Sequence, residues 1–155
     1  MSDSPEYQDG PSDEAGIIAS CRRLHAAIDT LDQRAARALG VSRNDLRCLH
    51  LLENGPVSPS AIGRSLSLTS GSVTVLLDRL EKKDLVRRLP SPDDRRALLI
   101  EATAKAWQSL AGIYRPFGEA LSNLSSTYGQ RRANEAAAIL GDIADICVEN
   151  VPKEK

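Results

Sequence analysis

Residues 66–88, from Leu66 to Arg88, read LSLTSGSVTVLLDRLEKKDLVRR, and residues 92–96 read PDDRR. Thr69 is a favoured helix-capping residue, and Val73, Leu76, Leu77 and Leu80 follow at the i, i+3, i+4, i+7 spacing of one helix face. After Asp84 the pattern changes. Residues 85–89 and 97–101 read as two short strands, and the stretch from Pro90 to Arg96 between them is turn-forming and charged. A capped helix that runs into a hairpin with a charged tip is the second half of a winged helix-turn-helix.

The upstream sequence supplies the first half. Ser42 can cap a helix with Asp45 three residues on, close to a capping box; Leu46, Leu49 and Leu52 form its buried face, and Gly55-Pro56 stops it. Ser58-Pro59 opens the next helix, with Ala61, Ile62 and Leu66 facing inward. The fold expected is mainly α with a small β-wing, a winged helix-turn-helix over residues 41–102. Longer apolar stripes flank it. Ile17, Cys21, Leu24, Ile28, Leu31 and Ala35 alternate spacings of four and three up to Gly40, a residue suited to the left-handed turn after a helix. Trp107, Leu110, Tyr114, Phe117, Leu121 and Leu124 repeat the pattern after Thr103, and Ala136, Ile139, Leu140, Ile143, Ile146 and Cys147 mark a last helix. One subunit of 155 residues offers little to cover such seams. Residues 14–40 and 103–150 are therefore expected to be the helical dimerisation region of a two-fold homodimer. Residues 1–13, acidic and rich in Ser, Pro and Gly, read as a disordered tail.

Composition excludes several classes of function. With 20 Lys plus Arg against 21 Asp plus Glu, the chain is not a generally basic nucleic-acid coat. Positive charge is nevertheless local: residues 57–101 hold eight bases and six acids, whereas the first 14 residues hold five acids and no base. The aromatics are Tyr7, Trp107, Tyr114, Phe117 and Tyr128, so residues 8–106 have none on which to stack the bases of a single strand. The longest apolar run, Ala136 to Leu140, is far too short to span a membrane, and the N-terminus lacks the pattern of a secretory signal. Three cysteines (Cys21, Cys48, Cys147), without a CxxC pair, fit a reduced, cytoplasmic protein. Glycine-rich nucleotide motifs and a GxSxG elbow are missing, and two histidines are a poor basis for a catalytic set. No enzyme activity, cofactor or metal is expected. Cys21 and His25, four apart on one helix face with His50 a third candidate, invite a thiol- or metal-sensing reading; the place of Cys21 in an apolar seam favours simple packing.

With the buried side of the fourth helix fixed, its outer side shows Ser70, Gly71, Thr74, Val75, Asp78 and Arg79. Small polar residues at a helix N-terminus allow close approach to a duplex, hydroxyls can meet base edges, and Thr or Val methyls can meet a thymine methyl. An ordinary solvated helix face would look the same. The charged hairpin tips the balance, because an arginine at its tip can enter the minor groove with a neighbouring Asp holding the guanidinium.

Residues 66–88 together with 92–96 resemble the MarR family of bacterial winged helix-turn-helix transcriptional regulators. The likeness extends over roughly residues 15–150, and its most specific element is Asp94-Arg95-Arg96 after a helix ending in Asp78-Arg79-Leu80-Glu81. It implies a homodimer joined by its N- and C-terminal helices, with the fourth helix in the major groove of double-stranded DNA and Arg96, oriented by Asp94, in the minor groove. The residues expected to contact DNA are Ser70, Ser72, Thr74, Val75 and Arg79 on the helix, and Arg88, Asp94, Arg95 and Arg96 on the wing. The resemblance also implies a repressor of neighbouring genes on a pseudo-palindromic operator, relieved by a small, often aromatic or phenolic effector bound between the dimer helices and the winged module. Two positions depart from the family: Asp84 stands where Gly is usual, and Val75 where many members carry Arg. The alternatives are a winged-helix protein-interaction module without DNA binding, which Val75 suits and Asp94-Arg95-Arg96 does not, and a thiol- or metal-sensing regulator.

Overall fold

The computed structural model describes residues 14–92 and 97–150. The tail expected at 1–13, and Asp94, Arg95 and Arg96 of the wing tip, lie outside the described residues. The elements in order are helix α1 (Glu14–Leu39), α2 (Arg43–Leu51) with a 3₁₀ turn at Leu52–Asn54, α3 (Pro59–Leu66), α4 (Ser70–Lys82), strands β1 (Val86–Pro90) and β2 (Leu98–Ala102), α5 (Ala104–Tyr128) and α6 (Gln130–Glu149). The fold is mainly α with a two-stranded β-wing. The chain divides into two compact units at Leu110 and Ala111.

In the first unit, local chemistry starts each helix where the sequence marks it. Ser42 and Asp45 form a complete capping box on α2: Asp45 N–H donates to Ser42 Oγ, and Ser42 N–H donates to Asp45 Oδ2 at 2.8 Å. Ser58 caps α3 with Pro59 in its first turn, and Thr69 caps α4 by accepting from Ser72 N–H. Gly40 takes the left-handed φ of +64° that ends α1. Leu46, Leu49, Leu52, Ile62, Leu80 and Ile100 are buried at the centre, and Val73, Leu76 and Leu77 complete the inner face of α4. Ala61 is only half-buried.

The strands lie one residue later than the sequence pattern suggests, pairing antiparallel from Val86↔Ala102 to Pro90↔Leu98. The reason is Leu85, whose N–H turns back to Leu80 O at 3.0 Å while Asp84 N–H donates to Glu81 O at 2.8 Å. That pair of bonds closes α4, so Leu85 belongs to the helix stop and not to the ladder. Asp84 supplies the required left-handed residue, with φ +59°. Asp adopts this conformation at a cost that glycine avoids, so Asp84→Gly should raise stability by up to about 1 kcal/mol and Asp84→Val should lower it. Urea unfolding midpoints of the two variants check this.

The root of the wing is fixed. Val57 and Ile100 exchange two backbone hydrogen bonds, of 3.0 and 2.8 Å, and Thr103 N–H donates to Leu85 O at 3.0 Å. The loop before α3, the end of α4 and both strands are thus stitched together.

The second unit holds α5 from Ala111 onward and α6. Here the apolar stripes stand in solvent: Phe117, Leu121, Leu124 and Tyr128 on α5, and Ile139, Leu140 and Ile146 on α6, are exposed. No residue of α6 is buried. In the first unit Ile17, Ile18, Leu24 and Ile28 of α1 are likewise exposed. Cys147, expected to pack, is exposed in the single chain, whereas Cys21 is half-buried and Cys48 buried.

Candidate nucleic-acid interface

The outward side of α4 begins with four small residues. Ser70, Gly71, Ser72 and Thr74 are all exposed, and Val75 presents 61% of its surface to solvent. The Thr69 and Ser72 hydroxyls share a hydrogen bond of 2.9 Å, and the Thr74 hydroxyl donates to Ser70 O at 3.0 Å. The Thr74 oxygen, which only donates here, keeps its lone pairs free, so this surface still accepts bonds while its own groups hold a fixed geometry.

Farther along α4, Asp78, Arg79 and Glu81 are engaged in ion pairs within the protein. Asp45 is the one buried charged side chain among the described residues, with none of its surface exposed. Its Oδ2 accepts from Arg79 Nε at 2.9 Å and its Oδ1 from Arg79 Nη2 at 2.6 Å, while Arg79 Nη2 also lies 3.5 Å from Ser42 Oγ. Burial pushes the Asp45 carboxyl up, but the Arg79 bonds and those from Ser42 outweigh it and hold the group below its ordinary value. Arg79 is held above its own ordinary value by its bond to Asp45. One carboxylate therefore caps α2 and ties α4 to it. Arg88 on β1 makes the corresponding tie on the other side, donating to Asp78 at 2.6 Å and to Glu81, and its bond to Asp78 raises it in turn. Arg87 pairs across the ladder with Glu101 at 2.7 Å.

The structure thus brings Ser70, Ser72, Thr74 and Val75 together on one exposed surface. Arg79 and Arg88, expected to contact DNA, are held in ion pairs that position α4 and the wing. Sequence reasoning found Asp45 as a capping residue and missed its bond to Arg79. The two lie 34 positions apart, and no local spacing signals such a pair.

Two clefts border these elements. One, of about 440 Å³, runs between the start of α2 and α4, with Asn44, Leu68, Val75 and Arg79 among its walls. The other, of about 230 Å³, lies between α1 and α2 and is lined by His25, Asp29, Asp32, Arg43 and Arg47 with Ile28. Arg43 and Asp29 are ion-paired across it. Among the described residues no group of three or more His, Cys, Asp or Glu side chains is placed to hold a metal. The Cys48 thiol, buried beside Asp45, is pushed up to about 12 by burial and by that charge, which leaves it inert. No helix among the described residues is long and apolar enough to cross a membrane.

Residues 39–97 match the model of the MarR family, a span that runs from α2 through β1 and stops short of β2. Over 143 residues the chain is 33% identical to the uncharacterized HTH-type transcriptional regulator YcgE of Bacillus subtilis, covering 92% of this chain and 93% of that protein. Among solved structures it is similar to the transcriptional regulator Tm0710 of Thermotoga maritima, with a TM-score of 0.66 and 20% identity over 91% of this chain and all of that one. The S. aureus MepR–DNA complex matches with a TM-score of 0.56 and 19% identity, over 81% of this chain and 96% of that chain.

Proposed function

This chain belongs to the MarR family of transcriptional regulators, a DNA-binding family and not an enzyme family, and from that premise we propose that it is a homodimeric, ligand-responsive repressor acting on a pseudo-palindromic duplex. The observation that carries the reading is the exposed surface of Ser70, Ser72, Thr74 and Val75 at the start of α4, free of long side chains that would keep a duplex away. The N-terminal half of α4 enters the major groove, and Arg95 and Arg96, with Asp94 orienting Arg96, reach the adjacent minor groove. Arg79 and Arg88 act by holding α4 in place. Residues 41–102 form the DNA-binding module, and residues 14–40 with 103–150 form the dimerisation region.

The exposed apolar stripes of α1, α5 and α6 support the dimer, because a helix with an apolar face and no buried residue needs a partner surface. A second copy supplies it with the symmetry that two half-sites about one helical turn apart require. The α1–α2 cleft is a place for a small aromatic effector that carries an acid, with Arg47 beside it; occupation there competes with the Arg43–Asp29 pair. Repression follows from occupying the operator, and release follows from any effector that changes the half-site spacing.

The test is a titration of operator and random duplex at several salt concentrations. Arg96→Ala should weaken operator binding by about 1–3 kcal/mol and flatten the salt dependence by about one unit of slope, since one fewer counterion is released. Thr74→Ala should reduce the operator preference while leaving the salt slope nearly unchanged. If neither variant changes the affinity of a tightly bound duplex, the groove assignment is wrong. A chain that binds no duplex at all is instead the interaction module that Val75 suits.

A further inference from the structure

Between Ser70 and Leu77 the fourth helix has no Arg, Lys, Asn, Gln, Asp or Glu. These are the side chains that discriminate base pairs through directed hydrogen bonds: Arg or Lys paired with guanine, Asn or Gln paired with adenine, and Asp or Glu accepting from cytosine. Arg79 is the first long cation on this side of the helix, and its Nε–Nη2 fork is already occupied by Asp45. Asp78, the nearest acid, is engaged by Arg88. What remains at the tip of the helix is hydroxyls, which accept or donate without strong preference, and methyl groups.

The methyl groups are not scattered. Val75, 61% exposed, and Leu68, half-buried at the corner between α3 and α4, both line the cleft of about 440 Å³ that opens beside the helix. Gly71 lies between them and carries no side chain to close the opening; a Cβ there would meet nothing within 4 Å. No acid lines the cleft to repel a duplex, and its one lining cation, Arg79, is already paired with Asp45, so what the cleft offers a base is apolar. In the major groove a single feature of the bases is apolar, the C5-methyl of thymine.

We infer that this cleft is a thymine-reading site, in which Leu68 and Val75 receive the C5-methyl of one thymine in each half-site. The inference rests on the reading that α4 enters the major groove, and it names the base that the helix selects. Val75, which stands where many family members carry Arg, exchanges a guanine or phosphate contact for a methyl contact.

The experiment starts with an operator selected from a random duplex library by the full-length protein. Each thymine of the half-site is then replaced in turn by deoxyuridine, which removes the methyl and keeps every hydrogen-bonding group. At one position the loss of a buried methyl should weaken binding about fourfold, and about fifteenfold when both half-sites are changed together. Val75→Ala, at an exposed position where the fold does not depend on the side chain, should bind the thymine operator more weakly and be nearly indifferent to the same replacement. The inference is overturned if no thymine is sensitive, or if Val75→Ala loses as much as the wild type does at the sensitive position. If a duplex is selected but α4 does not touch it, Thr74→Ala and Val75→Ala leave affinity unchanged, and the groove reading fails first. If the selection yields no duplex, both readings fall together.

Discussion

Arg79→Ala should destabilise the winged module by about 2–4 kcal/mol, somewhat below the range for breaking a fully buried ion pair because the guanidinium is partly in water. The loss comes from the partner left behind. Asp45 has no exposed surface, and without Arg79 it keeps only the Ser42 bonds against the full cost of burial. The pH dependence carries the signature. In the wild type the folded-state carboxyl is held below its ordinary value, so its contribution is complete above that ordinary value and is lost as pH falls through the lowered one. In the variant burial dominates, the carboxyl takes up a proton at higher pH, and the deficit shrinks on acidification. Urea unfolding of both proteins at neutral and mildly acidic pH measures this. A deficit that does not change with pH would mean that the pair contributes packing alone. The reciprocal variant Asp45→Asn should cost less, because it leaves a charge that already reaches solvent.

A second large effect is expected in the terminal helices. Leu121→Glu and Ile139→Glu together place two carboxylates per chain on stripes that stand exposed in the single subunit. If a second copy covers those stripes, each ionised carboxylate must be desolvated at a cost of several kcal/mol. Dimer dissociation should then strengthen by at least about a thousandfold, or about 4 kcal/mol. Sedimentation at micromolar concentration should find the wild type dimeric and the double variant monomeric, with operator affinity lost in parallel because one half-site is held alone. The winged module should keep its helicity. A double variant that remains a dimer would show that the stripes face something else.

The parts of the fold that the sequence discloses are those governed by neighbours in the chain. Ser42 with Asp45, Ser58 with Pro59, and Thr69 ahead of Val73 each announce a helix within four residues, and each helix starts there. Asp84 at the end of α4 could also be anticipated, since the turn after a helix asks for a left-handed residue. The limits appear where one group serves two distant partners. Periodicity puts Arg79 on the outer side of α4, which is correct, but it cannot reveal that the guanidinium bends back to a carboxylate on α2. For the same reason the strands shift by one residue: Leu85 is β-forming by type, yet its N–H is needed to finish the helix before it. Arg88 also alternates as a strand residue should, with no sign that it faces Asp78 and Glu81.

The stitched root of the wing has a consequence for the DNA. Val57, Leu85, Ile100 and Thr103 hold the base of the hairpin and the end of α4 in one hydrogen-bonded frame. If, as proposed, α4 and the wing enter adjacent grooves, they start from an offset that this frame sets. On that proposal the duplex would be the compliant member of the complex, its bending and groove width meeting that offset. Base steps between the two points of contact would then affect affinity through their stiffness alone, with flexible pyrimidine–purine steps favoured over rigid tracts. Part of the operator's information would accordingly reside in bases that no side chain touches.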